Sequence, residues 1–237
     1  RIPCVVEYIG YGGGRGLLVE RLLWSSAGFG HFVMDNRGQG SDGPPGDTSD
    51  VGADVVSPHY PGFMTMGIHD PRAHYYRRLF SDAVRALDAV RTLPQIDTSR
   101  IAAYGRSQGA GISIAVAGLN PDLPILLADV PFLCDFRQAA RIPGSLVKQL
   151  LEKADALKPE TFETLDYFDP LTLVSRLKVP AIVSVGGQDH VCPAATIRSV
   201  FDRIGGVKSL VYYPDLIHTS SIDFYRAAWQ WIDRHLA

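Results

Sequence analysis

Ser107 stands between two glycines, in the stretch Gly105-Arg106-Ser107-Gln108-Gly109. A serine hydroxyl is a useful nucleophile only when a base takes its proton, so this stretch matters only if an imidazole and an orienting carboxylate exist elsewhere. The pattern G-x-S-x-G arises by chance in roughly one protein in ten of this length, so its context must decide. "RIAAYG" (100–105) reads as a buried strand and "QGAGISIAVAGL" (108–119) as a helix. A strand–serine–helix junction is the setting of a nucleophile elbow. The serine backbone is strained there, and glycines two residues away relieve collisions with neighbouring elements.

On such an elbow the partners follow in the order Ser, Asp or Glu, His. Of seven histidines, His31, His59, His69 and His74 precede Ser107. His235 reads as a solvated residue on the last helix, and His190 sits where the acid belongs. His218, in "VYYPDLIHTSS", follows the last strand and suits the base. For the acid, "PAIVSVGGQDHVCP" places Asp189 just past the fifth strand. Asp129, Asp215 and Asp223 are its rivals. Asp129 ends the strand after the elbow helix, and Asp215 lies so near His218 that it reads as shaping the loop. The oxyanion of an acyl-transfer intermediate needs backbone N–H donors. Gln108 supplies one, and the loop "GYGGGRG" (10–16) the other, through Tyr11. That loop lacks the G-x-x-x-x-G-K-[ST] of a phosphate cradle.

The elements that must hold these groups are visible as alternation. Strand candidates are Cys4–Ile9, His31–Asp35, Arg100–Tyr104, Ile125–Asp129, Ala181–Val185 and Ser209–Tyr213, short and with little polar alternation. Strands buried on both faces of a parallel sheet read this way. Helical patterns lie between them at 77–93, 108–119, 193–204 and 222–236. The spacing predicts an α/β fold with a mostly parallel sheet flanked by helices, in a single domain over 1–237. Two stretches break the rhythm: a Gly-, Pro- and Asp-rich loop at about 40–75, and several short helical patterns at about 132–177 that read as a cap.

Composition narrows the function. A net charge of −2 leaves no electrostatic footprint for nucleic acid or an anionic membrane. No apolar run approaches the ~20 residues of a membrane span. Cys4, Cys134 and Cys192 are too few and too scattered for a disulfide framework or metal-ligand spacing, so a reducing, cytoplasmic setting is the expectation. The chemistry requires neither metal nor organic cofactor.

"GYGGGRG", "MDNRGQG", "GRSQGAG", "GGQDHVCP" and "IHTSS", with "DVPFLCDF" and "GFMTMGIHDPRAHYYRR", occur in order from Tyr11 nearly to the C-terminus. Together they resemble the acetyl xylan esterase/cephalosporin C deacetylase family of α/β-hydrolases. The resemblance implies a serine esterase that deacetylates small carbohydrate esters and cephalosporin-type esters, with Ser107, Asp189 and His218 as its triad. It implies Tyr11 and Gln108 amides as the oxyanion hole, and Phe132 and Val191 beside a tight acyl pocket. It makes Arg37-Gly38-Gln39 a structural motif tying loops together. It also implies a ring-like homohexamer, with the loop around 55–75 at the subunit interface. Thr219 departs from the glutamate that the family carries after its histidine. The family also has an N-terminal segment with an antiparallel start to the sheet. The opening at Arg1, directly on a strand-like run, makes that segment an expected upstream neighbour. Rival readings are a peptidase or dienelactone-type hydrolase on the same scaffold, and a non-catalytic binding module.

Overall fold

The computed structural model describes residues 1–50 and 62–236. Residues 51–61, which hold His59 and the start of the loop expected at a subunit interface, lie outside the described residues. The elements run β1 (Ile2–Tyr8), α1 (Leu22–Ser26), β2 (Gly30–Val33), α2 (Tyr75–Arg91), β3 (Ile96–Arg106), α3 (Gln108–Leu119) and β4 (Ile125–Asp129). There follow four short helices, α4 (Phe136–Ala139), α5 (Leu146–Lys153), α6 (Pro159–Leu165) and α7 (Pro170–Leu173). The chain ends with β5 (Ala181–Gly186), α8 (Ala194–Asp202), β6 (Lys208–Tyr213) and α9 (Ile222–Leu236).

The strands form one six-stranded sheet in the order β2-β1-β3-β4-β5-β6, and every described pairing is parallel. The reason is in the residues. β4 (ILLAD) and β5 (AIVSVG) are buried at every position, as central strands covered on both faces must be. Successive side chains alternate between two cores. Val6, Tyr8, Ile101, Ala103, Leu126 and Val183 face one, with residues of α2, α3 and α8. Val5, Ala102, Tyr104, Leu127 and Ile182 face the other, with Trp24 of α1 and Phe224 and Trp231 of α9. α3 is buried from Gln108 to Gly118 and lies against the sheet. Its small residues permit that closeness: a Cβ on Gly109 would stand 2.0 Å from the carbonyl oxygen of Tyr8 in β1.

Some expectations shift: β3 begins at Ile96 rather than Arg100 and runs to Arg106. α2 begins at Tyr75 rather than Arg77, because Tyr75 and Tyr76 are fully buried and belong to its core face. His235 is half-buried rather than fully solvated: its Nε2 is buried and its ring lies 4.4 Å from that of Trp231, one helical turn earlier on the same face. Among the described residues no helix is long and apolar enough to cross a membrane. In a parallel sheet all the loops that leave strand C-termini emerge at one edge. Here those loops carry Tyr11, Ser107, Asp189 and His218.

Candidate active site

Ser107 lies between the last residue of β3 and the first of α3, with φ 57° and ψ −121°. A positive φ is strained for any residue with a Cβ. The surroundings impose it: the Ser107 N–H donates to the Asp129 carbonyl at 2.9 Å, and its own carbonyl accepts from Phe132 and Gly111. The flanking glycines are required sterically. A Cβ on Gly105 would lie 2.2 Å from the Gly109 carbonyl carbon, and one on Gly109 would lie 2.0 Å from the Tyr8 carbonyl oxygen. The hydroxyl is therefore held out at the sheet edge by its backbone.

His218 lies in the loop between β6 and α9. Its Nε2 is 3.0 Å from Ser107 Oγ and its Nδ1 is 2.7 Å from Asp189 Oδ2. An ionised carboxylate only accepts, so Nδ1 carries the proton and Nε2 is left as the acceptor for the serine hydroxyl. Asp189 is 5% exposed, and its other oxygen takes the Cys192 N–H at 2.8 Å. That bond and the imidazole fix both carboxylate oxygens. The three groups named from sequence thus form one hydrogen-bonded chain. The rivals do not: Asp215 and His190 are exposed, Asp223 pairs with Arg226 on the outer face of α9, and Asp129 faces two serines. Cys192 Sγ lies within 4.8 Å of the Asp189 and His218 ligand atoms, a donor set a soft cation could use. The carboxylate and imidazole are already committed to each other, however, and burial pushes the thiol well above its usual range.

Gln108 is the first residue of α3, so its N–H has no intrahelical acceptor and sits at the positive end of the helix. Among the described residues, neither its N–H nor that of Tyr11 is taken by a backbone carbonyl. An N–H without an acceptor directly after the nucleophile, as at Gln108, is the kind of donor that stabilises an oxyanion. Phe132 is buried and packs edge-on against the Tyr11 ring at 6.0 Å. Val191 is half-buried, and its carbonyl accepts from Leu146 at the start of α5.

Arg37 and Gln39 join the loop after β2 to other elements. Arg37 donates to both carboxylate oxygens of Asp82 on α2 and to Asp50, which also takes two bonds from Arg78. Gln39 is fully buried; its Oε1 accepts from Gly12 N–H at 2.7 Å, and its Nε2 donates to Tyr75 Oη at 2.8 Å and to Gln108 Oε1 at 3.2 Å. Tyr76 Oη also donates to Gln108 Oε1, at 3.0 Å. One buried network therefore joins the loop that carries Tyr11 to the start of α3, where Gln108 lies. Tyr75 and Tyr76 were not singled out from sequence. The available signal was a pair of tyrosines on the apolar phase of a helix, since a buried phenol needs a partner.

Comparison with known proteins finds acetyl xylan esterases among the most similar structures. The crystal structure of acetyl xylan esterase 1 from Thermoanaerobacterium sp. superposes with a TM-score of 0.88 at 28% identity, covering 99% of this chain and 75% of that one. An acetyl xylan esterase from Paenibacillus sp. R4 gives 0.88 at 34% identity, covering 99% and 74%. The acetyl esterase Axe7A of Xylanibacter ruminicola is 27% identical over 170 residues, 71% of this chain but 39% of that protein. An acylaminoacyl peptidase of Pyrococcus horikoshii, 15% identical with a TM-score of 0.70, shares the fold alone. The family model described as acetyl xylan esterase (AXE1) matches residues 1–235, and the chain belongs to that family.

Proposed function

We propose that the chain is a serine esterase that removes acetyl groups from small carbohydrate esters, such as acetylated xylo-oligosaccharides, and from cephalosporin C-type esters. The observation that carries the reading is the unbroken chain Ser107 Oγ, His218 Nε2, His218 Nδ1, Asp189 Oδ2. Ser107 Oγ attacks the acetyl carbonyl while His218 takes its proton. The Tyr11 and Gln108 N–H groups face the oxyanion. His218 then gives the proton to the leaving alcohol, and an acetyl-serine forms. Water, deprotonated by His218, releases acetate and restores the serine. Asp189 holds the tautomer and stabilises the imidazolium.

Phe132 and Val191 bound the acyl pocket in this reading, and a methylene that does not fit costs on the order of 1–3 kcal/mol. p-Nitrophenyl acetate should therefore be hydrolysed at least ~10-fold faster, as kcat/KM, than the butyrate ester. Ser107→Ala should abolish turnover with the fold retained, and a fluorophosphonate should label Ser107. Retained activity in Ser107→Ala rejects the reading, and preference for longer acyl or peptide substrates favours a peptidase or dienelactone-type hydrolase. The same reading carries a cytoplasmic homohexamer, with the loop around 55–75 at its interface; light scattering tests the assembly.

A further inference from the structure

Asp129 closes β4 and is 1% exposed. The reaction gives it no step, yet it touches both halves of the site. Its backbone carbonyl accepts the Ser107 N–H at 2.9 Å. One carboxylate oxygen accepts from Ser220 Oγ at 2.5 Å and the other from Ser184 Oγ at 2.5 Å. Ser220 is two residues past His218. Ser184 lies within β5, which leads to Asp189, and its Oγ also accepts the Val130 N–H at 2.8 Å. From the nucleophile side, Arg106 Nη2 donates to the His218 carbonyl at 3.2 Å.

The loop that carries His218 needs such ties. Pro214, Asp215 and Ile217 are exposed, and the segment between β6 and α9 has no regular structure. Among the described residues its backbone bonds are few: Leu216 N–H to Tyr213 and Thr219 N–H to Ile217 within it, Phe224 N–H to Ser221 at its end, and Gln188 N–H to Leu216 from outside. A hydroxyl donating to a buried carboxylate is among the stronger neutral-to-ionised bonds. Burial pushes the Asp129 carboxyl up, while the two serines, Arg106 and His218 act the other way.

We propose that Asp129 is a positioning residue for the base. Its carbonyl fixes the nucleophile, and its side chain fixes the histidine loop through Ser220, so one residue sets the distance between them. It touches no reacting atom. The inference rests on the reading of Ser107 as nucleophile and His218 as base.

The test uses the full chain with p-nitrophenyl acetate. Ser220→Ala and Asp129→Ala should each lower kcat by about tenfold or more with KM within about twofold, because misplacement of the base acts on the chemical step. Asp129→Asn should recover most of the kcat. Its carbonyl oxygen can keep the Ser184 bond while its amide donates to Ser220 Oγ. The double variant Ser220→Ala/Asp129→Ala should be no slower than Asp129→Ala alone. Wild-type kcat in Ser220→Ala overturns the proposal, and that variant keeps the test open if Asp129→Ala does not fold. Asp129→Asn as slow as Asp129→Ala also overturns it, since the charge would then be what matters. Ser107→Ala, run alongside, separates the two failures: activity in that variant sinks the triad reading itself, whereas an inactive Ser107→Ala beside a fully active Ser220→Ala sinks only the role of Asp129.

Discussion

At the scale of single residues, the site is defined as much by absent side chains as by present ones. Gly109 lies under the carbonyl of Tyr8, at the end of β1, and its missing Cβ lets α3 approach the sheet. Gly109→Ala would push the added carbon to 2.0 Å from a backbone oxygen that cannot swing away. Overpacking of this kind costs about 1–3 kcal/mol. The first turn of α3, which carries Gln108 N–H, would move with it. Chemical denaturation should show that loss, and kcat should fall. Gly10→Ala is the control: its Cβ meets the Arg106 carbonyl at an ordinary 3.8 Å and should leave stability nearly unchanged. Equal stability of the two variants would remove the steric argument. This level was the most legible in the sequence. Few residue types can act as nucleophile, base and acid, and their order along the chain restricts them further. Ser107, Asp189 and His218 were named on those grounds and do meet. The hydrogen-bonding partners of Asp129 were not legible, because they depend on β4 pairing with β5 and on the fold of a loop distant in sequence.

At the scale of elements, four segments meet at Gln39: the loop after β1, the loop after β2, the start of α2 and the start of α3. The sequence marked Arg37-Gly38-Gln39 as a tie but did not show what is tied. The tyrosines at the start of α2 are 36 and 37 residues further on, beyond any local pattern. Gln39→Ala should leave the buried Gly12 N–H without its 2.7 Å partner. A buried donor left unpaired costs about 1–3 kcal/mol. Because Gly12 follows Tyr11, the Tyr11 N–H should lose its fixed direction as well. The expected signature is a fall in kcat, by about tenfold for a weakened oxyanion donor, with a small change in KM. A variant that is destabilised but keeps wild-type kcat would make Gln39 a stability element only. Strand positions and the sheet class were legible from apolar runs alone. The start of α2 was not, because the polar "RR" at 77–78 masks two buried aromatics ahead of it.

At the scale of the whole molecule, folding is linked to pH through a histidine that takes no part in the site. His74 is fully buried beside the rings of Tyr76 and Phe168. Burial, with Arg78 adding to it, lowers its pKa to about 4 against the opposing bond from Nδ1 to the Met66 carbonyl. The unfolded chain takes that proton near pH ~6.5. Above that value both states are neutral and His74 contributes no pH dependence. As pH falls from ~6.5 toward about 4 the unfolded state binds a proton that the folded state refuses, so stability is lost, by on the order of 3 kcal/mol over the whole window. Asp169 works in the opposite sense. Burial raises it to about 7, so the folded state takes a proton first and gains stability as pH falls through that value toward the unfolded carboxylate range. The wild-type curve alone therefore hides both terms, and the difference between two proteins is the informative quantity. His74→Gln can keep a donor toward Met66 without a titrating ring. Urea unfolding of wild type and His74→Gln between pH 7.5 and 4 should give a gap that stays constant down to pH ~6.5. Below it the gap should shift steadily in favour of the variant, by roughly 1.4 kcal/mol per pH unit at the steepest. A gap that does not change with pH would mean that His74 takes up its proton in the folded protein as readily as in the unfolded chain.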